Sequence, residues 1–204
     1  MKQPSTHRRS LGAPAGKTGA GPTIAPSFVP PYPPSLIDGF IDWLDHRRLP
    51  AWAVLLVVAL LSFLALTLVQ WREGAYPPGT FRPVHAMAAA YVPFIIWLIR
   101  TLDRSAAGAL RQFRPALRAG VDPAALEYEV TTLPRRPTLA VGAVSVVVIG
   151  LGAWFFIGDI QVLGLAPTPL SLTVAGVLLA ATWWITGVFV YHTVRQLVIV
   201  HRIY

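Results

Sequence analysis

The sequence predicts an all-α integral membrane protein with four transmembrane helices and an interfacial amphipathic helix before the first. Three observations carry that prediction. Hydrophobic residues make up 54% of the 204-residue chain and charged ones only 13%. Soluble domains carry roughly a quarter charged residues, so there is too little charge here to cover a water-facing surface. Four apolar stretches of about twenty residues recur along the chain, and three of them hold no charge at all. The Lys and Arg residues fall almost entirely between these stretches. A mean hydropathy of +0.57 agrees.

Residues 1–34 hold eight of the nineteen prolines, among Gly, Ser, Thr and Ala, and this composition predicts a disordered tail. The Arg8–Arg9 pair does not make a twin-arginine signal, because no apolar stretch follows within reach. Over residues 35–49 the helical spacing of Leu36, Ile37, Phe40, Ile41 and Leu44 predicts a short amphipathic helix at the membrane surface. Ser35 is its N-cap. Asp38, Asp42 and Asp45 line the other side, where a solvated face is expected rather than a metal site.

Residues 50–191 form the transmembrane domain. The first span, 51–70, holds twenty uncharged residues behind Pro50. At 1.5 Å per residue they measure about 30 Å, the thickness of the hydrocarbon core. A Pro- and Gly-dense turn leads to the second span, 83–102, with His85 near its start, Pro93 in its middle and Arg100 near its end. Pro93 removes one backbone donor and is expected to kink the helix. Arg100 snorkels toward the interface. The connector 103–136 has helical character cut by Pro115, then a short helix opened by the cap and first-turn pair Asp122-Pro123.

The third span, 138–158, places Gly142, Ser145 and Gly152 close to one face. The fourth, 169–191, does the same with Gly176, Ala180 and Gly187. Small residues let helices approach closely in lipid, so these faces are expected to meet each other or a homo- or hetero-oligomeric partner. Residues 192–204 continue as a cytoplasmic helical extension. His192, Arg195, Gln196, Ile199 and Arg202 lie along one side, Val194, Leu197 and Val198 along the other.

Lys and Arg counts on alternate sides of the spans stand at fifteen against two. The heavy side is cytoplasmic by the positive-inside rule, so both termini are expected in the cytoplasm of a cell whose inner membrane holds the protein. His85 and Asp159 then face outward. This distribution explains the net charge of +8 without a nucleic-acid partner.

No Asp, Glu, Lys or Arg lies in the middle of any span, which weighs against proton-coupled transport. The candidate polar residues are His85, Pro93, Asp103, Arg104, His192 and Arg195. Asp103 and Arg104 are positioned to pair with Arg195 in a structural salt bridge. His85 and His192 lie about a bilayer apart and cannot share an ion. His46, His192 and His201 lack the spacing of a metal motif, and His7 lies in the tail. Hydrolase-elbow, zincin, phosphate-loop and dinucleotide-loop patterns do not occur. Glu127 and Glu129 are too close, and opposite in helical phase, to act as an acid and base pair. No catalytic residue, metal or cofactor is therefore expected.

The chain resembles a family of uncharacterised multi-pass membrane proteins of bacteria. The pieces that carry the resemblance are Leu49-Pro50, Trp71 with Gly74 and Pro78-Gly79-Thr80-Phe81, Leu102-Asp103-Arg104 and Phe113-Arg114-Pro115-Ala116-Leu117. Two more are Thr131-Thr132-Leu133-Pro134-Arg135-Arg136-Pro137 and Tyr191-His192-Thr193-Val194-Arg195-Gln196-Leu197. The resemblance implies topology and no activity. Its members carry further hydrophobic segments after the last piece, which implies a truncated or shortened form here. The function expected is a non-enzymatic scaffold, subunit or sensory input module. A transporter or channel subunit gated at Pro93 is the alternative, and an interfacial lipid enzyme using the 103–136 connector comes third.

Overall fold

The computed structural model describes residues 28–113, 115, 122–156 and 165–203. The tail expected over 1–34 lies outside these up to residue 27. So do 116–121 of the connector, the last two residues of the third span, and Asp159.

Six helices follow in order: α1 (Leu36–Asp45), α2 (Ala51–Arg72), α3 (Pro83–Phe113), α4 (Pro123–Thr131), α5 (Arg135–Phe156) and α6 (Pro169–Ile203). The fold is all-helical among the described residues, apart from one isolated antiparallel bridge between Pro34 and Pro134. Helices α2, α3, α5 and α6 are each long and apolar enough to cross a membrane. Their side chains stay largely outward. On α2 alone, Leu56, Val57, Leu60, Leu61, Leu64 and Leu68 are exposed. A water-soluble protein does not present a patch of this extent, whereas lipid tails solvate it. The chain is a multi-pass membrane protein.

Two antiparallel hairpins, α2 with α3 and α5 with α6, join along a seam between α3 and α6. The turn between α2 and α3 uses left-handed glycines, Gly74 (φ +73°) and Gly79 (φ +86°), where a side chain would clash with the backbone. The Trp71 indole donates to the Thr80 carbonyl at 2.8 Å and closes that turn. Helix α3 is described as far as Phe113, two residues before Pro115. Pro93 lies inside α3 and is buried, and it offers no N–H to the Ala89 carbonyl one turn before it.

Helices α3 and α6 run 31 and 35 residues, about 46 and 52 Å at 1.5 Å per residue. A hydrocarbon core of about 30 Å covers only part of each. Both therefore project at the arginine-rich end of the bundle, where α1 and α4 pack against them. Ile37 of α1 and Leu133 of the connector close over Ile95 and Ile99 of α3 and over Ile185 and Val188 of α6. Leu126 and Val130 of α4 cover Ile199 of α6.

The expected small-residue faces are partly met within the chain. A Cβ at Gly142 would lie 2.0 Å from Nε1 of Trp184, and one at Gly187 would lie 2.4 Å from Cβ of Ser145. The Ser145 hydroxyl donates to the Trp183 carbonyl at 2.9 Å. Glycine thus lets α5 and α6 come together at these two positions, with packing rather than water exclusion as the attraction. Ala180 is half-buried on the same side of α6, while Gly152 and Gly176 face open space.

Candidate functional site

The densest polar structure is a cap at the arginine-rich end, built where α4 stops. The last carbonyls of a helix have no intrahelical donor, and they carry the negative end of its dipole. Helix α6 supplies the missing donors. Arg195 donates through one nitrogen to the carbonyls of Glu129 and of Thr132, the latter at 2.9 Å. Gln196 donates to the Val130 carbonyl at 3.2 Å. The second Arg195 nitrogen reaches the Tyr32 hydroxyl at 2.7 Å, and Tyr32 in turn donates to the Thr132 carbonyl at 3.1 Å. Burial pushes the Tyr32 phenol up against the pull of Arg195, so it stays a neutral donor.

Residues 28–34 belong to this cap and are not part of a disordered tail. The Tyr128 hydroxyl donates to the Tyr32 carbonyl at 2.6 Å, and the Tyr128 ring lies against both Phe28 and Tyr32. The two aromatic side chains give this Pro-rich segment enough surface to dock.

Asp103 and Arg104 do not pair with Arg195 as expected. Asp103 lies 2.9 Å from Nε2 of His192, at ion-pair distance but without hydrogen-bond geometry, and accepts from Gln196 at 3.2 Å. The His192 side chain is fully buried and that of Asp103 nearly so. Arg104 turns the other way, to Asp45, at 3.1 Å, and Arg100 joins it at 2.6 Å. Arg195 favours the α4 terminus because several carbonyls converge there, and a guanidinium fork can satisfy more than one at once.

Of the three α1 aspartates, only Asp38 departs from the expected solvated face. Asp38 completes a capping box with Ser35 and accepts the Leu133 N–H at 2.9 Å. Burial pushes the Asp38 carboxyl up, opposed by the Leu133 and Ser35 hydrogen bonds. Asp42 and Asp45 are both exposed, Asp42 beside His46 at 3.3 Å. Together Asp38, Asp42, Asp45 and Asp103 border an open cleft of about 370 Å³. Among the described residues no three His, Cys, Asp or Glu side chains converge well enough to hold a metal ion.

Burial alone would raise the Asp45 carboxyl, but the hydrogen bonds and charges of Arg100 and Arg104 hold it below the usual carboxylate range. A depressed carboxylate stabilises the fold above its unfolded value of about 4 and loses that contribution as pH falls through the folded value. Acidification from about pH 5 to 3 is therefore expected to lower the melting temperature of the detergent-solubilised protein more steeply than that of Asp45→Asn. Asp38 titrates in the opposite sense in both proteins and cancels from the comparison. Equal slopes would show that the pairing adds no stability.

A second polar node lies at the far end of the bundle, between the hairpins. The Gln70 amide meets the Ser171 hydroxyl at 2.8 Å and accepts the Ala166 N–H at 2.9 Å. His85, buried at the start of α3, meets the Tyr76 hydroxyl through Nδ1 at 2.9 Å. Gln70 is a signal that the sequence reading passed over: a lone amide ending an apolar span needs a partner. His85 and Pro93 therefore belong to α3 apart from the cap, whereas Asp103, Arg104, His192 and Arg195 all enter it.

No family model matches the chain, and no curated protein or solved structure shows significant similarity to it.

Proposed function

We propose that this membrane protein serves as a non-enzymatic scaffold or subunit that holds a rigid platform at its arginine-rich end. The observation that carries this reading is the use made of Arg195 and Gln196. They join α6 to the α4 terminus and, through Tyr32, to the segment before α1. Asp38 and Asp45 tie α1 to the connector and to α3 in the same way. These side chains fix elements in place, so their chemistry goes into shape. The arginine distribution supports placing the platform on the cytoplasmic side of the inner membrane, with both ends of the chain there. The reading predicts that the protein, extracted in a mild detergent, co-purifies with a defined membrane or peripheral partner in fixed ratio. Recovery without any stoichiometric companion, itself included, would refute it.

A transporter or channel subunit is favoured by one specific observation, the buried His192–Asp103 pair beside the cleft. A buried ionisable pair at the end of the bundle would suit the mouth of a transport path. Solute or proton flux in proteoliposomes, abolished by Asp103→Asn, would replace the scaffold reading with this one.

A further inference from the structure

The α6 face that packs on α5 does not end where α5 ends. Ala180, Trp184, Gly187, Tyr191, Val194, Val198 and His201 follow one another at alternating spacings of four and three, the seam of a left-handed coiled coil. Helix α5 covers the upper part: Trp184 lies against Gly142, and Gly187 against Ser145. Helix α5 begins at Arg135, about 9 Å of helix rise from Val141, whose carbonyl lies beside Gly187. Beyond that point the seam runs on uncovered. Val194 and Val198 are 53% and 44% exposed, flanked by Leu197 at 65%.

Lipid does not account for this exposure. Val194 lies 25 residues after Pro169, about 38 Å along the helix, and Val198 about 44 Å along it. Both distances exceed a hydrocarbon core of about 30 Å. These valines stand where water or another protein must meet them. The groove they line also holds Arg195, already committed to the α4 carbonyls, and carries the charges of Glu129 and Arg202. Both side chains are exposed, and among the described residues neither charged group has an ion-pair partner.

We infer that the open part of this seam is the contact between two copies of the chain, whose α6 extensions cross one another there, clear of α5. Copies in one membrane share an orientation, so their α6 extensions emerge side by side at equal depth. A two-fold axis along the membrane normal then sets Val194 and Val198 against their counterparts. It also brings Glu129 of each copy toward Arg202 of the other, the reciprocal pairing that a two-fold interface requires. One groove holding both signs of charge is complementary to itself. The inference rests on the scaffold reading and names its partner as a second copy.

The chain contains no cysteine, so single cysteines report directly on proximity. Val194→Cys and Val198→Cys, in the full chain in native membranes, are expected to form a disulfide-linked species of twice the mass on mild oxidation. Val147→Cys on the lipid-facing side of α5 and Val200→Cys, on another face of α6, are expected to stay monomeric, although both positions are exposed. Glu129→Lys is expected to reduce the Val198→Cys crosslink several-fold, and adding Arg202→Glu to restore it. Three results would each overturn the inference: equal crosslinking at all four positions, crosslinking to a protein of different mass, or no crosslink anywhere. Co-purification of a different partner alongside an uncrosslinked seam would remove the dimer while leaving the scaffold reading in place.

Discussion

Arg195→Ala is expected to destabilise the protein by roughly 2–4 kcal/mol, since hydrogen bonds to a charged donor contribute about 1.5–3 kcal/mol and this guanidinium makes several. The loss has two parts. The Glu129 carbonyl loses its Arg195 donor at the end of α4, the Thr132 carbonyl keeps only Tyr32, and a positive charge leaves the negative end of that helix. Tyr32 loses its anchor at the same time. The effect is therefore expected to be local as well as global, with new protease cleavage appearing within residues 28–34 before the bundle melts. Arg195→Lys keeps the charge but replaces a planar fork with a point donor, and is expected to fall between wild type and alanine. Thermal melting in detergent and limited proteolysis measure the two parts. If Arg195→Ala melts like wild type with the 28–34 segment still protected, Arg195 does not hold the cap.

Gly142→Ala is expected to cost about 1–3 kcal/mol, the usual range for forcing extra atoms into a packed interface. The added methyl would meet the Trp184 ring at 2.0–2.2 Å, and a fused ring cannot yield as a flexible chain end does. Gly187→Ala faces the Ser145 side chain at 2.4 Å and the Val141 carbonyl at 3.3 Å, and is expected to act in the same direction. Gly152→Ala and Gly176→Ala supply the contrast, because nothing lies within 4 Å of either new methyl. Both are expected to melt at or slightly above the wild-type temperature, as alanine is the better helix former. Trp184→Leu placed in Gly142→Ala is expected to recover part of the loss. If all four glycine variants melted alike, close approach of α5 and α6 would not be what these positions provide.

The parts legible in the sequence were those whose signal is local. An uncharged run such as 51–70 declares a span through length alone, and α2 forms over it. Ser35 and Asp122-Pro123 declare helix starts, and both caps form, with Asp122 accepting the Ala124 N–H at 2.9 Å. The pairing of polar groups was legible only as a need. Asp103, Arg104 and Arg195 were each marked as requiring partners, and each has one, but the assignment differs. Asp45 is 55 residues from Arg100, and Asp38 is 95 from Leu133. No periodicity encodes which carboxylate meets which donor at such separations. Arg195 was harder still, because two of its acceptors are backbone carbonyls, which every residue carries. Composition also misled over residues 28–34, where proline content outweighed two aromatics spaced to dock.

The Tyr32 contacts reach 96, 100 and 163 positions along the chain. Translation delivers the N-terminal segment first, and at about 5–20 residues per second its final anchor emerges some 8–30 seconds later. Until Tyr128 emerges, 96 residues after Tyr32, Phe28 and Tyr32 have nothing to lie against, although α1 and α2 are already made. The Arg195 tie on this segment thus comes late in biogenesis, and a nascent chain halted before residue 195 is expected to hold its front end through Tyr128 and Thr132 alone.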